Sequence, residues 1–355
     1  MSVGTIRVEK ILSTLLLISV CTFVVRAQQS TTNTAQPSSP EASVTSKPAE
    51  DLYTLSLGQT HLHPMPSIEG EKSEFPEFTR ELIQVQWRSW DPIDLYVILP
   101  RNVKKPHAIL YLYSYPSEST RFMDNQYCIR LTRGGFAAIG LVSALTGHRY
   151  HDRPMKEWFV SQLHDALTMS VHDVQMVLDY LATRGDVDVS HVGFFGQGSG
   201  ATIAILSATV DPRIGPLDLL DPWGDWPDWL AHSTLVPEEE RSSYLKPEFL
   251  AKIAPLDPLN ELPRLRQPLR LQLVADDEVT PTVAKSRVAS VAPAQTLVVR
   301  YEDTKSLFRQ TGGGRLFEWV KDELKAPSPA SAEATAKDAH TPATMAASTG
   351  ASSSR

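Results

Sequence analysis

The stretch GFFGQGSGA, residues 193–201, sets one hydroxyl among glycines directly after an apolar run. A serine held on a tight turn of this kind is the nucleophile of acyl-transfer chemistry when an imidazole can take its proton and a carboxylate can orient the imidazole. Ser199 is the only serine in the stretch. A carboxylate is at hand in VADDEVTP, residues 274–281, where Asp277 sits between Asp276 and Glu278 and reads equally as a solvated turn residue. The base is harder to find. Beyond Asp277 the one histidine is His340, in a Ser/Ala/Thr-rich tail, and TLVVRYEDTKSLFR, residues 296–309, offers only Lys305. Lysine acts as a base when desolvated, whereas Glu302 and Asp303 beside Lys305 hold it charged. His148 and His151, in GHRYHD, follow another apolar run, and a surface or capping role is the simpler reading of both. A neutral hydroxyl with no base is a poor nucleophile at pH 7.

Such groups work only if a scaffold brings them to one place. Short apolar runs alternate with longer helical patterns, which predicts a mainly parallel sheet covered on both faces. Eight strands are expected, at Leu82–Trp87, Ile93–Leu99, Ala108–Tyr113, Phe136–Val142, His191–Phe195, Leu217–Leu220, Leu269–Val274 and Thr296–Tyr301. Between the first two, RSWDP at residues 88–92 predicts an antiparallel hairpin at one edge of the sheet. Leu163, Leu167, Val171, Val174, Val177 and Leu181 recur at helical spacing, so a helix is expected over Ser161–Arg184, stopped by Gly185. Further helices are expected over Ala201–Val210 and Arg315–Leu324. Residues 222–262 carry Trp, Pro and Glu clusters with no strand pattern and read as an insertion above the sheet.

A strand, a Gly-rich turn and a helix, followed later by a strand ending near an Asp and a Pro, resembles the α/β-hydrolase fold over roughly residues 80–325. Within that fold the chain looks most like the bacterial esterase and dipeptidyl-peptidase-like branch. The resemblance implies an eight-stranded, mostly parallel sheet with helices on both faces and a helical cap insertion. In the family the nucleophile follows the pattern apolar, apolar, Gly, x, Ser, x, Gly, then Gly or Ala. Here FFGQGSGA runs from Phe194 to Ala201, so the serine position falls on Gly198. Using Ser199 instead would put Gln197 two places before the nucleophile, where strand and helix pack too closely for its side chain, and would turn the strand's alternation by one residue. The resemblance also implies an acid at Asp277, with Val274 where a glycine is usual, and a histidine near Lys305, where none stands. The loop YSYP, Tyr113–Pro116, lacks the His-Gly run of lipases, although the backbone N–H of Ser114 or Tyr115 suits an oxyanion.

Departure at two of three triad places puts hydrolysis itself in doubt. One expectation is a non-catalytic homologue that binds a small molecule or a protein partner in the former active-site cleft. The other is a working esterase or peptidase-like hydrolase that uses Ser199 with an unorthodox base. A third class, a nucleotide-binding domain at GQGSG, needs Ala201 to stand as the third glycine and an acid such as Asp218 or Asp221 near the next strand.

LLDPWGDWPDWLA, residues 219–231, spaces Trp223, Trp226 and Trp229 by three. Over a cleft they would stack on a sugar or grip an acyl chain; otherwise they form the insertion's own core. His164 and His172 lie on or beside one face of the long helix with no third ligand evident, so no metal is expected. No CxxC, HExxH or GxxxxGK[ST] motif is present and no cofactor is expected. A net charge of −7 with no basic run argues against a nucleic-acid partner. Arg7 and Lys10, the apolar run Ile11–Val25 and the small residues Val25 and Ala27 read as a signal peptide, residues 1–27, too short for a comfortable span. An exported protein, periplasmic or secreted, with no membrane span after cleavage, is therefore expected. Residues 28–50 and 326–355, rich in Ser, Thr, Ala and Pro, are expected to be disordered around one domain at 51–325. Of two cysteines Cys21 leaves with the signal, which leaves Cys128 alone.

Overall fold

The computed structural model describes residues 50–89, 91–116, 119–145 and 160–325. The expected signal segment, the linker up to residue 49, the tail from residue 326, and His148, His151 and His340 lie outside them.

All eight apolar runs are strands, and a ninth precedes them. In chain order they are β1 (Ile68–Glu74), β2 (Phe78–Val85), β3 (Ile93–Pro100), β4 (His107–Leu112), β5 (Ala137–Leu141), β6 (Asp188–Gln197), β7 (Ile214–Leu220), β8 (Leu269–Val274) and β9 (Leu297–Tyr301). They form one sheet in the order β1-β2-β3-β5-β4-β6-β7-β8-β9. β1, β2, β3 and β5 pair antiparallel in succession, and the pairs from β5 through β4, β6, β7 and β8 to β9 are parallel. The sheet thus has nine strands where eight were expected, and β1 rather than the β2–β3 hairpin is the edge. The reason is chemical: IEGEKSE is almost wholly exposed, so it carries no apolar alternation, and its charges blunt the edge, with Lys72 reaching Glu81 on β2 at 2.7 Å. The central parallel strands β5, β7 and β8 are buried throughout, as their mostly apolar sequences require.

Helices follow the expected pattern. α1 (Asn125–Thr132) begins at Asp124, whose carboxylate accepts the N–H groups of Gln126 and Tyr127. α2 (Leu163–Arg184) ends at Gly185, which takes the left-handed conformation at φ 75°. α3 (Ser199–Ala208) starts directly at the Gly-rich turn. Residues 222–262 hold four short helices, α4 (Trp226–His232), α5 (Arg241–Tyr244), α6 (Pro247–Ile253) and α7 (Pro258–Glu261). α8 (Thr282–Val291) links β8 to β9, and α9 (Thr304–Thr311) and α10 (Glu318–Lys325) close the domain, with residues 312–317 in a tighter 3-10 turn where a continuous helix was expected from Arg315.

Two apolar layers result. One packs α2, α3, α8 and the insertion on the sheet, and the other packs α1 and α10 through Phe122, Phe195 and Phe317. Cys128 is a free, buried thiol in the second layer. Glu50, assigned to the linker by composition, belongs to the domain: its carboxylate takes hydrogen bonds from Arg88 at 2.6 and 2.8 Å and faces His172 Nδ1 at 2.5 Å. Burial alone would raise Glu50, but His172 and Arg88 overcome it and hold the carboxyl down at about 2. Among the described residues no helix is long and apolar enough to cross a membrane.

Candidate functional site

The turn between β6 and α3 is built from close backbone approach. A side-chain carbon added at Gly196 would lie 2.6 Å from Ala201 Cα and from Gly200 O, and one at Gly200 would collide with the carbonyl of Leu112. Glycine is therefore required at both places, and the residue midway between them is Gly198. Its φ of 55° and ψ of −118° are those of the first central residue of a type II′ turn, a conformation dominated by glycine. Its N–H donates to Leu220 O at 2.8 Å, and its carbonyl accepts from Ala201 and Thr202, so the strained residue also starts α3.

No room is left there for a side chain. A Cβ at Gly198 would run into Ser114 Oγ and approach Trp223 Nε1 to 3.1 Å. Ser199, the one serine, is fully buried and its Oγ accepts the backbone N–H of Tyr115 at 3.0 Å. Of the two loop donors considered for an oxyanion, Tyr115 thus already donates to a protein oxygen, and Ser114 fills the space beside Gly198.

The C-terminal ends of the parallel strands open into a cavity of about 370 Å³. Gln197, Leu220, Asp221, Val274 and Asp277 form its floor, α9 contributes Thr304, Leu307 and Phe308, and Arg121, Tyr127 and Arg130 form the facing wall. Asp277 lies on the loop after β8 and accepts the N–H of Thr280 at 2.9 Å. Lys285 of α8, nearly fully buried, donates to the carbonyls of Val274 and Asp277 at 2.5 and 2.6 Å and stands 3.8 Å from the Asp277 carboxylate. Asp221, which sequence reasoning considered only for a nucleotide ribose, is the residue it missed here. It follows β7 at a φ of 46°, a setting tolerated best by glycine, Asn and Asp. Its carboxylate accepts the Val274 N–H at 2.9 Å. Burial, with smaller contributions from Asp277 and Asp276, pushes it up to about 7 against the pull of that hydrogen bond and of Lys285. An Asp directly after a predicted buried strand, beside the acid loop, was the available signal.

The other expected residues lie elsewhere. Lys305 is exposed on the first turn of α9; its neighbour Thr304 lines the cavity and is tied to Asp276 by its N–H at 2.8 Å and its hydroxyl at 2.9 Å. Trp223 and Trp226, placed over the cleft as candidate ligand contacts, are buried with Trp229 in the helical layer, and no residue of 222–262 lines the strand-end cavity among those described. Trp223 and Trp229 pack at 4.8 Å between ring centroids, and Trp226 meets Trp229 edge-on at 5.8 Å. Burial of roughly 150–250 Å² per aromatic side chain explains why they serve as core. No described histidine lines this cavity. His164 bonds Asp165 at 2.8 Å, His172 is held by Glu50 and the carbonyl of Thr54, and no group of three potential metal ligands exists among the described residues. For the nucleotide alternative, Asp218 is buried inside β7 and engaged by Arg270 at 2.6 and 2.8 Å, unavailable to a ribose. A larger cavity, about 670 Å³, opens beside Leu52–Leu55, α2 and α6, and contains none of the strand-end residues.

No protein-family model and no curated protein sequence matches the chain. Solved structures do. An acetyl xylan esterase from Paenibacillus sp. R4 superposes with a TM-score of 0.59 at 15% identity, covering 76% of this chain and 92% of that one. Acetyl xylan esterase 1 from Thermoanaerobacterium gives a TM-score of 0.54 at 14% identity over 71% and 88%. The chain has the α/β-hydrolase fold. An acylaminoacyl peptidase of Pyrococcus horikoshii shares it at a TM-score of 0.53 and 12% identity, over 70% of this chain and 40% of that one. Within the α/β-hydrolase fold Gly198 occupies the strand-to-helix turn and Asp277 the loop after β8.

Proposed function

We propose that this α/β-hydrolase-fold chain is an exported, non-catalytic homologue that binds a small-molecule ligand in the strand-end cavity. One observation carries the reading: the residue at the strained turn is Gly198, and the space a nucleophile's side chain would need holds Ser114. Ser199 is no substitute while its hydroxyl is buried and accepts the Tyr115 N–H, because attack needs an exposed oxygen with a base in reach. What remains is a cavity that joins convergent polar groups to apolar lining from Leu220, Val274, Leu307 and Phe317, the ordinary composition of a small-molecule site.

The test is hydrolysis of p-nitrophenyl acetate by the full-length chain, with fluorophosphonate labelling, beside Ser199→Ala. Wild type is expected to neither label nor turn over above the variant. Ser199→Ala is expected to lose about 0.5–1.5 kcal/mol of stability, since the half-buried Tyr115 N–H loses its Ser199 acceptor. If wild type labels and turns over and Ser199→Ala abolishes both, the chain is a serine hydrolase with an unorthodox base and the binding reading fails.

A further inference from the structure

We infer that the strand-end cavity takes the carboxylate of a small organic acid between Arg121 and Arg130. This rests on the binding reading above and names its ligand class. The buried Arg270 and the partly buried Arg88, Arg184 and Arg213 are each paired with carboxylates at 2.6–2.8 Å. Arg121 and Arg130, on the cavity wall, have no acidic partner among the described residues and lie instead on aromatic rings. The Arg121 guanidinium is 3.8 Å from the centroid of Tyr113, and that of Arg130 is 5.5 Å from Tyr127. A guanidinium has five N–H donors, so one lying against a ring still offers donors to an acceptor beyond it, and two parallel N–H groups are how arginine grips a carboxylate.

The charge balance points the same way. The carboxylates across the cavity already have counter-charge: Lys285 stands behind both, and Asp277 also takes backbone N–H groups. Arg121 and Arg130 are the cavity-lining cations left without such a partner among the described residues, so an anion completes the site. Leu220, Val274, Leu307 and Phe317 line the remainder, which suits an apolar body, and about 370 Å³ is near the lower end of small-molecule pockets. An acid of modest size with an apolar body satisfies both the arginines and the apolar part of the lining.

The experiment is calorimetric titration of the full-length chain with acid and amide pairs of equal shape, phenylacetate with phenylacetamide and hexanoate with hexanamide, and with inorganic phosphate. At least one acid is expected to bind one-to-one and about tenfold or more tighter than its amide, a gap that Arg121→Gln and Arg130→Gln each remove. Arg121→Lys is expected to keep only part of it. Equal binding of acid and amide overturns the acid class and leaves the cavity reading standing. Phosphate competing as well as the acids overturns the organic-acid assignment in favour of a simple anion, and a complete lack of acid binding overturns it outright. The comparison of acid with amide needs no variant, so a variant that fails to fold does not shelter the inference. Ester turnover in the separate assay strikes the binding reading alone.

Discussion

Asp221→Asn isolates the one carboxyl whose charge the cavity floor opposes. The substitution keeps an oxygen to accept the Val274 N–H, and Asn tolerates the positive φ, so little but the ionisation changes. Folding raises the carboxyl from 3.8 to about 7. The native state therefore keeps a proton that the unfolded chain has released, and unfolding sheds it. The stabilisation from that proton is complete below the unfolded value, falls as pH rises, and is gone once pH passes the folded value near 7. A displacement of roughly 3 units at 1.36 kcal/mol each corresponds to about 4 kcal/mol over the whole window, of which about 2.5 kcal/mol falls between pH 5 and pH 8. Urea unfolding of both proteins at pH 5, 6, 7 and 8 measures this directly. Wild type should lose about 2.5 kcal/mol relative to Asp221→Asn across the series, with the steepest change below pH 7. A difference that stays flat, or one in which wild type gains on the variant as pH rises, would show Asp221 ionised throughout and refute the burial argument.

Gly198→Ser adds both backbone strain and a collision with Ser114, which together cost about 2–6 kcal/mol. Chemical denaturation should show Ser114→Gly restoring part of that loss in the double variant, while a Gly198→Ser chain as stable as wild type would mean the turn is not the constrained point described. Export predicts that the chain recovered from outside the cytoplasm begins at Gln28, and an intact mass retaining residues 1–27 would contradict it.

The sheet was legible because a strand buried on both faces is mostly apolar, as β4 and β5 are, with the few polar side chains of β7 and β8, Asp218, Arg270 and Gln272, satisfying one another. β1 was not, since a solvent-facing edge strand needs no apolar residue, and IEGEKSE looks like any polar loop. The register of the Gly-rich turn was also readable, from the steric demand for glycine on both sides of position 198. The cavity was not. Arg121 and Arg130 come from a 3-10 turn and a helix whose sequence announces nothing, and only the packing of Tyr113 and Tyr127 under them sets them beside the strand ends. The tryptophans were ambiguous for a related reason: spacing by three tells that side chains cluster, and the side they cluster on is decided by how residues 222–262 fold back onto α3. There Thr202 donates to the Trp223 carbonyl at 2.7 Å, and Asp257 receives the Asp225 and Trp226 N–H groups at 3.1 and 3.0 Å.

Ser114 at the turn bears on how this chain relates to catalysis across mutational steps. A single codon change can turn Gly198 into serine, but the new side chain would enter occupied space, and a second change at 114 confers nothing while residue 198 is still glycine. A working triad would need a third, since no described histidine reaches the cavity. Each intermediate bears the stability loss without the reaction. Selection for folding alone would then hold such a sequence away from a serine at position 198.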